Sequence, residues 1–287
     1  MRKRHRKTSV DSLSTEEAMG IHRAFDVIGD IAITKLPSDS KIDVRQLAEA
    51  ITKRHKNIKA LFVQEKGVHG DFRLRGLKHM AGENRTCTLY KESGCSFLVD
   101  LEKCYFSPRL SGERLRVAQQ VQPGETVVNM FAGVGCFSII IAKRVPVKVY
   151  SIDINPSAIG FMNDNIRLNR LYGKVISFLG DSKEVVENQL QHSANRVLLP
   201  LPEKALQYLP AAISALTFSG GWIHYYGFEH ARKGENPIEK GKLKVNKTLD
   251  NLKVDHEFAF SRVVRTVGPN WYQLVLDIRI DGAPHKS

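Results

Sequence analysis

The sequence predicts an α/β protein built on a doubly wound, mostly parallel sheet that is preceded by a small mixed α/β domain. From residue 126 onwards, short apolar stretches typical of buried strands alternate with stretches typical of helices. Such alternation indicates a parallel sheet with helices on both faces. The last two strand-like stretches, 257–265 and 271–280, flank Gly268-Pro269-Asn270 and predict an antiparallel hairpin at the C-terminal end.

Changes in composition divide the chain into three segments. Residues 1–20 are polar and basic, with little apolar periodicity, and predict a flexible tail. Residues 21–104 contain several short strand patterns and predict the small α/β domain. Residues 105–287 carry the alternating pattern and therefore predict the domain with the large sheet.

Charge and apolar content indicate the class of protein and of partner. The chain has 43 Lys and Arg against 30 Asp and Glu, a net charge of +13, which suits a polyanionic partner such as a nucleic acid. No apolar run approaches the ~20 residues of a membrane helix, and no secretory signal follows the basic start, so we expect a cytoplasmic protein. The 4 cysteines lack C-x-x-C spacing, and neither a zinc site nor a disulfide framework is expected.

Three loops at the ends of consecutive predicted strands have the residue types of a cofactor site. The stretch 131–137, F-A-G-V-G-C-F, follows a buried strand and opens a helix, so its glycines let the backbone approach a ligand. Asp153 ends the next strand, where a carboxylate accepts hydrogen bonds from ribose hydroxyls in a Rossmann-type sheet. Asp181 follows the third strand, within reach of an adenine rim. The predicted cofactor-binding residues are Phe131, Ala132, Gly133, Val134, Gly135, Asp153, Ile154, Asn155, Asp181 and Ser182.

The type of cofactor is indicated by the sequence around these loops. A dinucleotide fingerprint requires a third glycine, but position 138 is Ser138, and a P-loop is absent from the sequence. F-A-G-V-G-C-F followed by D-I-N-P at 153–156 resembles the class I methyltransferase signature. The resemblance implies a Rossmann-like class I methyltransferase fold with S-adenosylmethionine as the cofactor. A nicotinamide enzyme and a Rossmann domain without a ligand are the alternatives.

The segment 105–116, Y-F-S-P-R-L-S-G-E-R-L-R, joins the two predicted domains. Arg109 and Glu113 are four residues apart, which on a helix predicts by itself no more than a surface ion pair. Taken with the F-A-G-V-G loop, D-I-N-P and the upstream F-R-L-R-G-L-K-H-M-A-G-E-N-R-T and F-L-V-D-L, the segment resembles the archaeal and eukaryotic tRNA (guanine-37 N1)-methyltransferase family. The resemblance runs from about Phe25 to the C-terminus. It implies methyl transfer from S-adenosylmethionine to N1 of guanosine 37 in the anticodon loop.

The family's chemistry gives each matching residue a role. Guanine N1 carries a proton, so a carboxylate must remove it while a cation stabilises the negative charge that builds on O6. The resemblance implies that the catalytic residues are Glu113, as the general base, and Arg73, beside O6, with Arg75 in that place if the alignment shifts. Tyr105, Arg109 and Arg114 match positions that hold the target nucleoside and its phosphates. The target base must leave its stack to reach such a site.

One departure from the family concerns the loop after the fourth strand. The family has N-L-P there, and its Asn helps to orient the guanine; this chain has L-P-L-P at 199–202, with Pro200 in place of the Asn. Pro200 and Pro202 are therefore assigned to the substrate site, but the sequence leaves guanine selectivity open. The loop also lacks the N/D-P-P-Y pattern of amino-group methyltransferases and the Pro-Cys of 5-methylcytosine enzymes.

Two other functions fit the same signature. An aminocarboxypropyl transferase of the wyosine pathway would transfer a different group from the same cofactor, and a non-catalytic RNA-binding protein could keep the fold. The sequence predicts tRNA as the partner, with neither a membrane nor an obligate protein partner, and hence a monomer. A bound metal is not predicted, although the family resemblance leaves open whether Mg²⁺ assists.

Overall fold

A computed structural model describes residues 25–35, 48, 51, 53, 55–65 and 67–282. The predicted tail, residues 1–20, lies outside the described residues. In the described ranges, no helix is long and apolar enough to cross a membrane.

The first part of the described chain is a four-stranded sheet whose strands pair in chain order. Its strands are β1 (Phe25–Ile28), β2 (Ile31–Thr34), β3 (Ala60–Gln64) and β4 (Leu77–Gly82). β1 and β2 form a hairpin, β3 is parallel to β2, and β4 is antiparallel to β3. Apolar stretches up to residue 33 and at 60–64 of the sequence predict β2 and β3, and every residue of these two strands is buried. β4 was not predicted, because its half-exposed L-K-H-M-A-G sequence has no apolar run.

A separate two-stranded hairpin consists of β5 (Cys87–Glu92) and β6 (Cys95–Asp100), and the strand patterns at 86–90 and 95–100 of the sequence predict it within two residues at the ends. Two asparagines at the C-terminal end of the helix Pro156–Leu168 form hydrogen bonds with the backbone of β6. Asn165 Oδ1 accepts a hydrogen bond from Leu98 N at 2.6 Å, and Asn169 Oδ1 accepts one from Ser96 N at 2.9 Å. The hairpin is therefore fixed to the large domain by an edge of hydrogen bonds as well as by packing.

The predicted doubly wound sheet with a C-terminal antiparallel hairpin is confirmed. Seven strands lie in the order β12-β13-β11-β10-β7-β8-β9; β7 to β11 are parallel, and β13 is antiparallel to both of its neighbours. The strands are β7 (Thr126–Asn129), β8 (Lys148–Asp153), β9 (Lys174–Leu179), β10 (Arg196–Leu199), β11 (Gly221–His230), β12 (His256–Gly268) and β13 (Trp271–Ile280). The strand order reverses direction between β7 and β10, which is where such sheets bind ligands.

Helices cover the two faces of this sheet. They are α1 (Ser111–Gln120), α2 (Cys136–Arg144), α3 (Pro156–Leu168), α4 (Ser182–Val185), α5 (Ala205–Ala215) and α6 (Pro237–Asn251). A 3₁₀ turn, Pro108–Leu110, leads into α1, and a π-helical turn, Val186–Leu190, continues α4. Asn155 begins α3 as an N-cap, since its side chain accepts a hydrogen bond from the backbone N–H of Ser157.

The core divides between the two faces because neighbouring strand residues point to opposite sides. Val127 of β7 belongs to one buried cluster and Val128 to the other, and Tyr226 and Tyr225 of β11 divide in the same way. The first cluster also contains Ile28 of β1. The apolar core of the large sheet therefore continues into the small sheet, across the boundary predicted at residue 104.

Candidate active site

Four loops at the carboxyl ends of β7, β8, β9 and β10 enclose a cleft, which we call the first cleft. These loops contribute the following lining residues: Met130, Phe131, Gly133, Asp153, Ile154, Asn155, Gly180, Asp181, Ser182, Pro200 and Leu201. The cleft lies at the reversal of strand order, and parallel strands bring all four carboxyl ends to this edge.

Seven of the ten predicted cofactor residues line the first cleft. The other three, Ala132, Val134 and Gly135, are not among its lining residues, and the Val134 side chain is buried. Gly135 shapes the turn instead: its φ is +90°, and a Cβ there would lie 2.8 Å from Met162 Cγ. The loop therefore requires glycine for conformation and for packing on α3.

Asp153 is fixed in the first cleft by two backbone donors. Gly133 N donates to Oδ2 at 2.6 Å, and Asn155 N donates to Oδ1 at 2.9 Å. Burial raises the pKa of the Asp153 carboxyl, and these two hydrogen bonds oppose that rise. The carboxylate is thus held in one orientation between the loops after β7 and β8.

Asp181 and Ser182 follow β9 and also line the first cleft. Tyr208 of α5 donates a hydrogen bond to Asp181 Oδ2 at 2.5 Å, and its ring packs edge-on against Phe131. Burial raises the pKa of Tyr208, and the bond to Asp181 adds to the rise, so the hydroxyl keeps its proton and remains a donor. Ser182 Oγ is buried without a hydrogen-bond partner in the described residues, which leaves a polar atom for a ligand.

A second cleft adjoins the first, and the two share Arg73 and Tyr105 among their lining residues. The Arg73 guanidinium carbon lies 4.3 Å from the centre of the Tyr105 ring, a cation–π contact that holds the two side chains together. The charged lining residues of the second cleft are Lys35, Arg73, Arg75, Arg109, Arg265, Asp26 and Glu203. Positive charges outnumber negative ones, as a phosphate-bearing ligand requires.

Arg73 occupies an uncommon position. Its φ is +53°, in the left-handed region that non-glycine residues rarely adopt. Its Nη2 lies 2.9 Å from Glu203 Oε1, whereas its Nε is buried and has no hydrogen-bond partner in the described ranges. A strained backbone and an unsatisfied donor at a cleft are features of ligand-binding positions.

The other two predicted arginines of the second cleft are held by the small sheet and the 105–107 segment. Arg75 is buried, donates to the carbonyl of Phe106 at 2.6 Å and lies 3.8 Å from Asp26 Oδ2. Burial lowers the pKa of its guanidinium, against the effect of Asp26. Arg109 donates to Asp26 Oδ1 at 2.7 Å, and 54% of its side chain is exposed. Arg109 is therefore the more accessible of the two.

Glu113 lines neither cleft, and its carboxylate is closed by three side chains. Oε2 accepts hydrogen bonds from Tyr226 Oη and Arg116 Nε, both at 3.0 Å, and Oε1 accepts from Arg262 Nε at 2.8 Å. Only 1% of the Glu113 side chain is exposed. A role as a general base remains a prediction, and it would require this network to open.

The network continues through Arg116 into the sheet. Arg116 forms a two-pronged ion pair with Asp277, which also accepts a hydrogen bond from His224 Nδ1 at 2.6 Å. Arg196 Nη1 lies 2.7 Å from the other ring nitrogen of His224, so that nitrogen must present a lone pair and the ring is neutral. Burial lowers the pKa of His224, which agrees with a neutral ring.

Arg114 and Pro202 also lie outside the lining of both clefts. Arg114 forms a buried two-pronged ion pair with Glu92, at 2.6 and 2.5 Å, and donates to the carbonyl of Ser107. It thus anchors the turn before α1, and its contact with substrate stays a prediction. Pro202 is buried, whereas Pro200 lines the first cleft.

Several cleft residues were not predicted from the sequence. They are Asp71, Phe72, Glu203, Lys204, Tyr208 and Arg265. Lys204 Nζ lies 2.8 Å from Asp71 Oδ1, beside the Arg73–Glu203 pair, so two ion pairs join the 71–73 loop to the loop after β10. Each pair joins residues about 130 positions apart, and the sequence near either partner carries no signal of it.

Comparison with protein families gives two matches along the chain. Residues 88–255 match the TRM5/TYW2 methyltransferase domain, and residues 8–86 match the TYW2 N-terminal domain. The first match covers the two-stranded hairpin and most of the large sheet.

Individual relatives are similar over almost the whole chain. A Pyrococcus abyssi tRNA (guanine(37)-N(1))-methyltransferase, Trm5b, is 39% identical over 90% of this chain and 74% of its own length. A Saccharolobus solfataricus tRNA 4-demethylwyosine(37)-methyltransferase, Taw21, is 36% identical over 95% of this chain and 99% of its own. A solved complex of aTrm5 and tRNALeu superposes with a TM-score of 0.79 at 36% identity, over 94% of this chain and 77% of that one.

Proposed function

Because the chain belongs to the TRM5/TYW2 methyltransferase family, we propose that it transfers a methyl group from S-adenosylmethionine to N1 of guanosine 37 in tRNA. The observation that carries this proposal is the junction of the two clefts. Arg73 and Tyr105 line both, so a base in the second cleft would lie directly beside a cofactor in the first. Methyl transfer requires such proximity of donor and acceptor.

The residues of the first cleft fit S-adenosylmethionine. Asp153 presents a fixed carboxylate for ribose hydroxyls, and Ser182 Oγ, which has no hydrogen-bond partner in the described residues, and the Asp181 carboxylate offer further polar contacts from the loop after β9. S-adenosylmethionine, when bound, supplies a methyl group on a positively charged sulfur. A group of three or more His, Cys, Asp or Glu that could hold a metal ion does not occur in the described residues, and we assign no residue to Mg²⁺.

The chemistry at the base requires two tasks of the protein. N1 must lose its proton before its electron pair can form the bond to the methyl carbon, and the negative charge then spreads to O6. Arg73 is suited to stabilise O6, because it lies at the junction and has an unused donor. Glu113 is proposed as the proton acceptor on the family resemblance, subject to the opening of its network.

The basic second cleft suits the tRNA backbone. Arg109 and Arg265 line it, and more than half of the Arg109 side chain is exposed to a phosphate. We expect the enzyme to act on tRNA as a monomer in the cytoplasm. Size-exclusion chromatography with light scattering measures the molar mass in solution and thus tests whether the protein is a monomer.

A second candidate is methylation of 4-demethylwyosine at position 37. Two similarities favour it: a Saccharolobus relative with this activity in its name is 36% identical to the chain, and residues 8–86 match the TYW2 N-terminal domain. Sequence identity to the Pyrococcus relative, 39% against 36%, favours guanosine.

Mass spectrometry of nucleosides separates these functions. Unmodified tRNA with guanosine or adenosine at position 37, and tRNA with 4-demethylwyosine there, are each incubated with the protein and S-adenosylmethionine. We expect 1-methylguanosine in the guanosine tRNA alone. The methylation rate of Arg73→Ala should be about 10²- to 10³-fold lower than that of the wild-type protein. Arg279→Ala is the matched control, because this exposed arginine pairs only with Asp281 in the described structure.

Each other product identifies a different function. A methyl group on 4-demethylwyosine alone would establish the second candidate, and an aminocarboxypropyl group would identify the other transferase. Binding of tRNA without any product would indicate an RNA-binding protein.

A further inference from the structure

The ion pair between Arg73 and Glu203 lies at the junction of the two clefts. Arg73 lines both clefts, and Glu203 lines the second. The Glu203 side chain is 45% exposed, whereas that of Arg73 is 16% exposed. A ligand that enters the second cleft can therefore reach the carboxylate, and it meets a donor and an acceptor side by side.

The edge of guanine that contains N1 has the complementary arrangement. O6 accepts hydrogen bonds on one side of N1, and the 2-amino group donates on the other side. Adenine has the opposite arrangement at position 6 and no amino group at position 2. An arginine at O6 and a carboxylate at the 2-amino group would therefore hold guanine and leave N1 between them.

We propose that Glu203 selects guanine by accepting a hydrogen bond from its 2-amino group, while Arg73 donates to O6. This assignment rests on the methyl transfer to guanosine proposed above. It gives the enzyme a specificity residue in the loop after β10, where the sequence has Pro200 in place of the family's guanine-orienting Asn. The loop supplies a carboxylate three residues further on.

Glu203 is better suited to this contact than the other carboxylate of the second cleft. Asp26 accepts a hydrogen bond from Arg109 through Oδ1 and lies 3.8 Å from Arg75 through Oδ2, so both oxygens face arginines. Glu203 has a single ion-pair partner in the described residues, Arg73, which it contacts through Oε1. Its other oxygen remains available for an amino group.

Arg73 can keep this pair while it binds the base. Its Nη2 contacts Glu203, but its Nε is buried without a partner in the described chain. A carbonyl oxygen would satisfy that donor. The pair thus positions the guanidinium for O6, and the guanidinium in turn orients the carboxylate.

The test uses inosine, which keeps O6 and the N1 proton and lacks the 2-amino group. kcat/KM is measured for tRNA transcripts with guanosine or inosine at position 37. We expect the wild-type protein to prefer guanosine by about 10- to 100-fold, the range for one hydrogen bond to a charged group. Glu203→Ala is expected to lose more activity on guanosine than on inosine, because on inosine only the positioning of Arg73 is lost, so that the ratio falls towards one. Glu203→Gln retains an oxygen acceptor and is expected to keep part of the preference.

A control separates recognition from loop positioning. Asp71→Asn weakens the neighbouring pair with Lys204, which joins the same two loops. We expect this variant to keep the wild-type ratio of guanosine to inosine, whatever its overall rate. Binding of S-adenosylhomocysteine checks that each variant is folded.

Two results would overturn the assignment: a wild-type ratio near one, or an equal loss on both transcripts in Glu203→Ala. If the wild-type protein methylates neither transcript, the proposed function fails. The dissociation constants of anticodon stem-loops with guanosine or inosine, measured with S-adenosylhomocysteine present, then test the assignment by the same ratio.

Discussion

Replacing Glu113 by glutamine preserves the shape of the side chain and removes its negative charge. In the wild-type protein, three side chains donate hydrogen bonds to the Glu113 carboxylate: Tyr226, Arg116 and Arg262. Arg116 would keep its pair with Asp277, and Arg262 is 45% exposed and can turn to solvent. The loss of stability should therefore be less than the 3–5 kcal/mol of an uncompensated buried charge, and we expect about 1–3 kcal/mol.

Two measurements on Glu113→Gln separate catalysis from stability. Urea unfolding gives the free energy of unfolding, and single-turnover methylation of guanosine-37 tRNA gives the rate of the chemical step. If Glu113 accepts the N1 proton, the rate should fall about 10²- to 10⁴-fold in protein that is fully folded. The remaining rate should rise tenfold per pH unit, because hydroxide must then remove the proton. Glu239→Gln, an exposed glutamate of α6, is the matched control and should change neither quantity.

A single-turnover rate within threefold of wild type would refute a role for Glu113 as the proton acceptor. The same conclusion would follow if the lost activity matched the fraction of unfolded protein. In either case the closed network of Glu113 would be a structural element that fixes α1 against β11 and β12.

Three further predictions concern other side chains of the molecule. Tyr208→Phe removes the donor to Asp181 and should weaken the binding of S-adenosylhomocysteine about tenfold by calorimetry; unchanged affinity would mean that Asp181 needs no such support. Arg114→Met leaves Glu92 buried and unpaired and should cost about 3–5 kcal/mol in urea unfolding, a value that a loss below 1 kcal/mol would contradict. Burial lowers the pKa of His224, so the unfolded chain takes up a proton on this side chain at a higher pH than the folded protein does. The contribution of His224 to the free energy of unfolding should therefore be fully present above about pH 6.5 and decrease below it by at most about 1.4 kcal/mol per pH unit. Unfolding midpoints at pH 5.5 and 7.5 measure this slope, and His224→Gln should reduce it; an equal slope in both proteins would show that other groups cause it.

The large sheet and the first cleft follow from local sequence patterns. Buried parallel strands appear as apolar runs, and residues directly after such strands must meet at one edge of the sheet. Phe131, Asp153 and Asp181 could therefore be placed together although they are up to 50 residues apart. The same reasoning has no means of detecting Tyr208, which reaches the cleft from the interior of a helix.

The second cleft shows where the sequence ceases to be informative. The family resemblance indicates Arg73, Tyr105 and Arg109, and the structure brings all three to the same cleft. Glu113 does not line this cleft, and one of its carboxylate oxygens accepts a hydrogen bond from Arg262, 149 residues further along the chain. Contacts at such separation depend on the docking of whole elements, which leaves no local pattern.

Three ion pairs, each with at least one exposed partner, connect the small sheet and its loops to the large domain around both clefts. They are Asp26–Arg109, Asp71–Lys204 and Arg73–Glu203. Exposed pairs contribute about 0–1 kcal/mol each and weaken with salt, whereas the apolar core that contains Ile28 and Phe97 does not depend on salt in this way. The core thus fixes where the small sheet lies, and the pairs fix only the side chains at its rim. Arg109 and Lys204, the more exposed cations of these pairs, can therefore exchange a carboxylate for a phosphate at little cost in stability, which allows a protein with a net charge of +13 to bind tRNA without refolding.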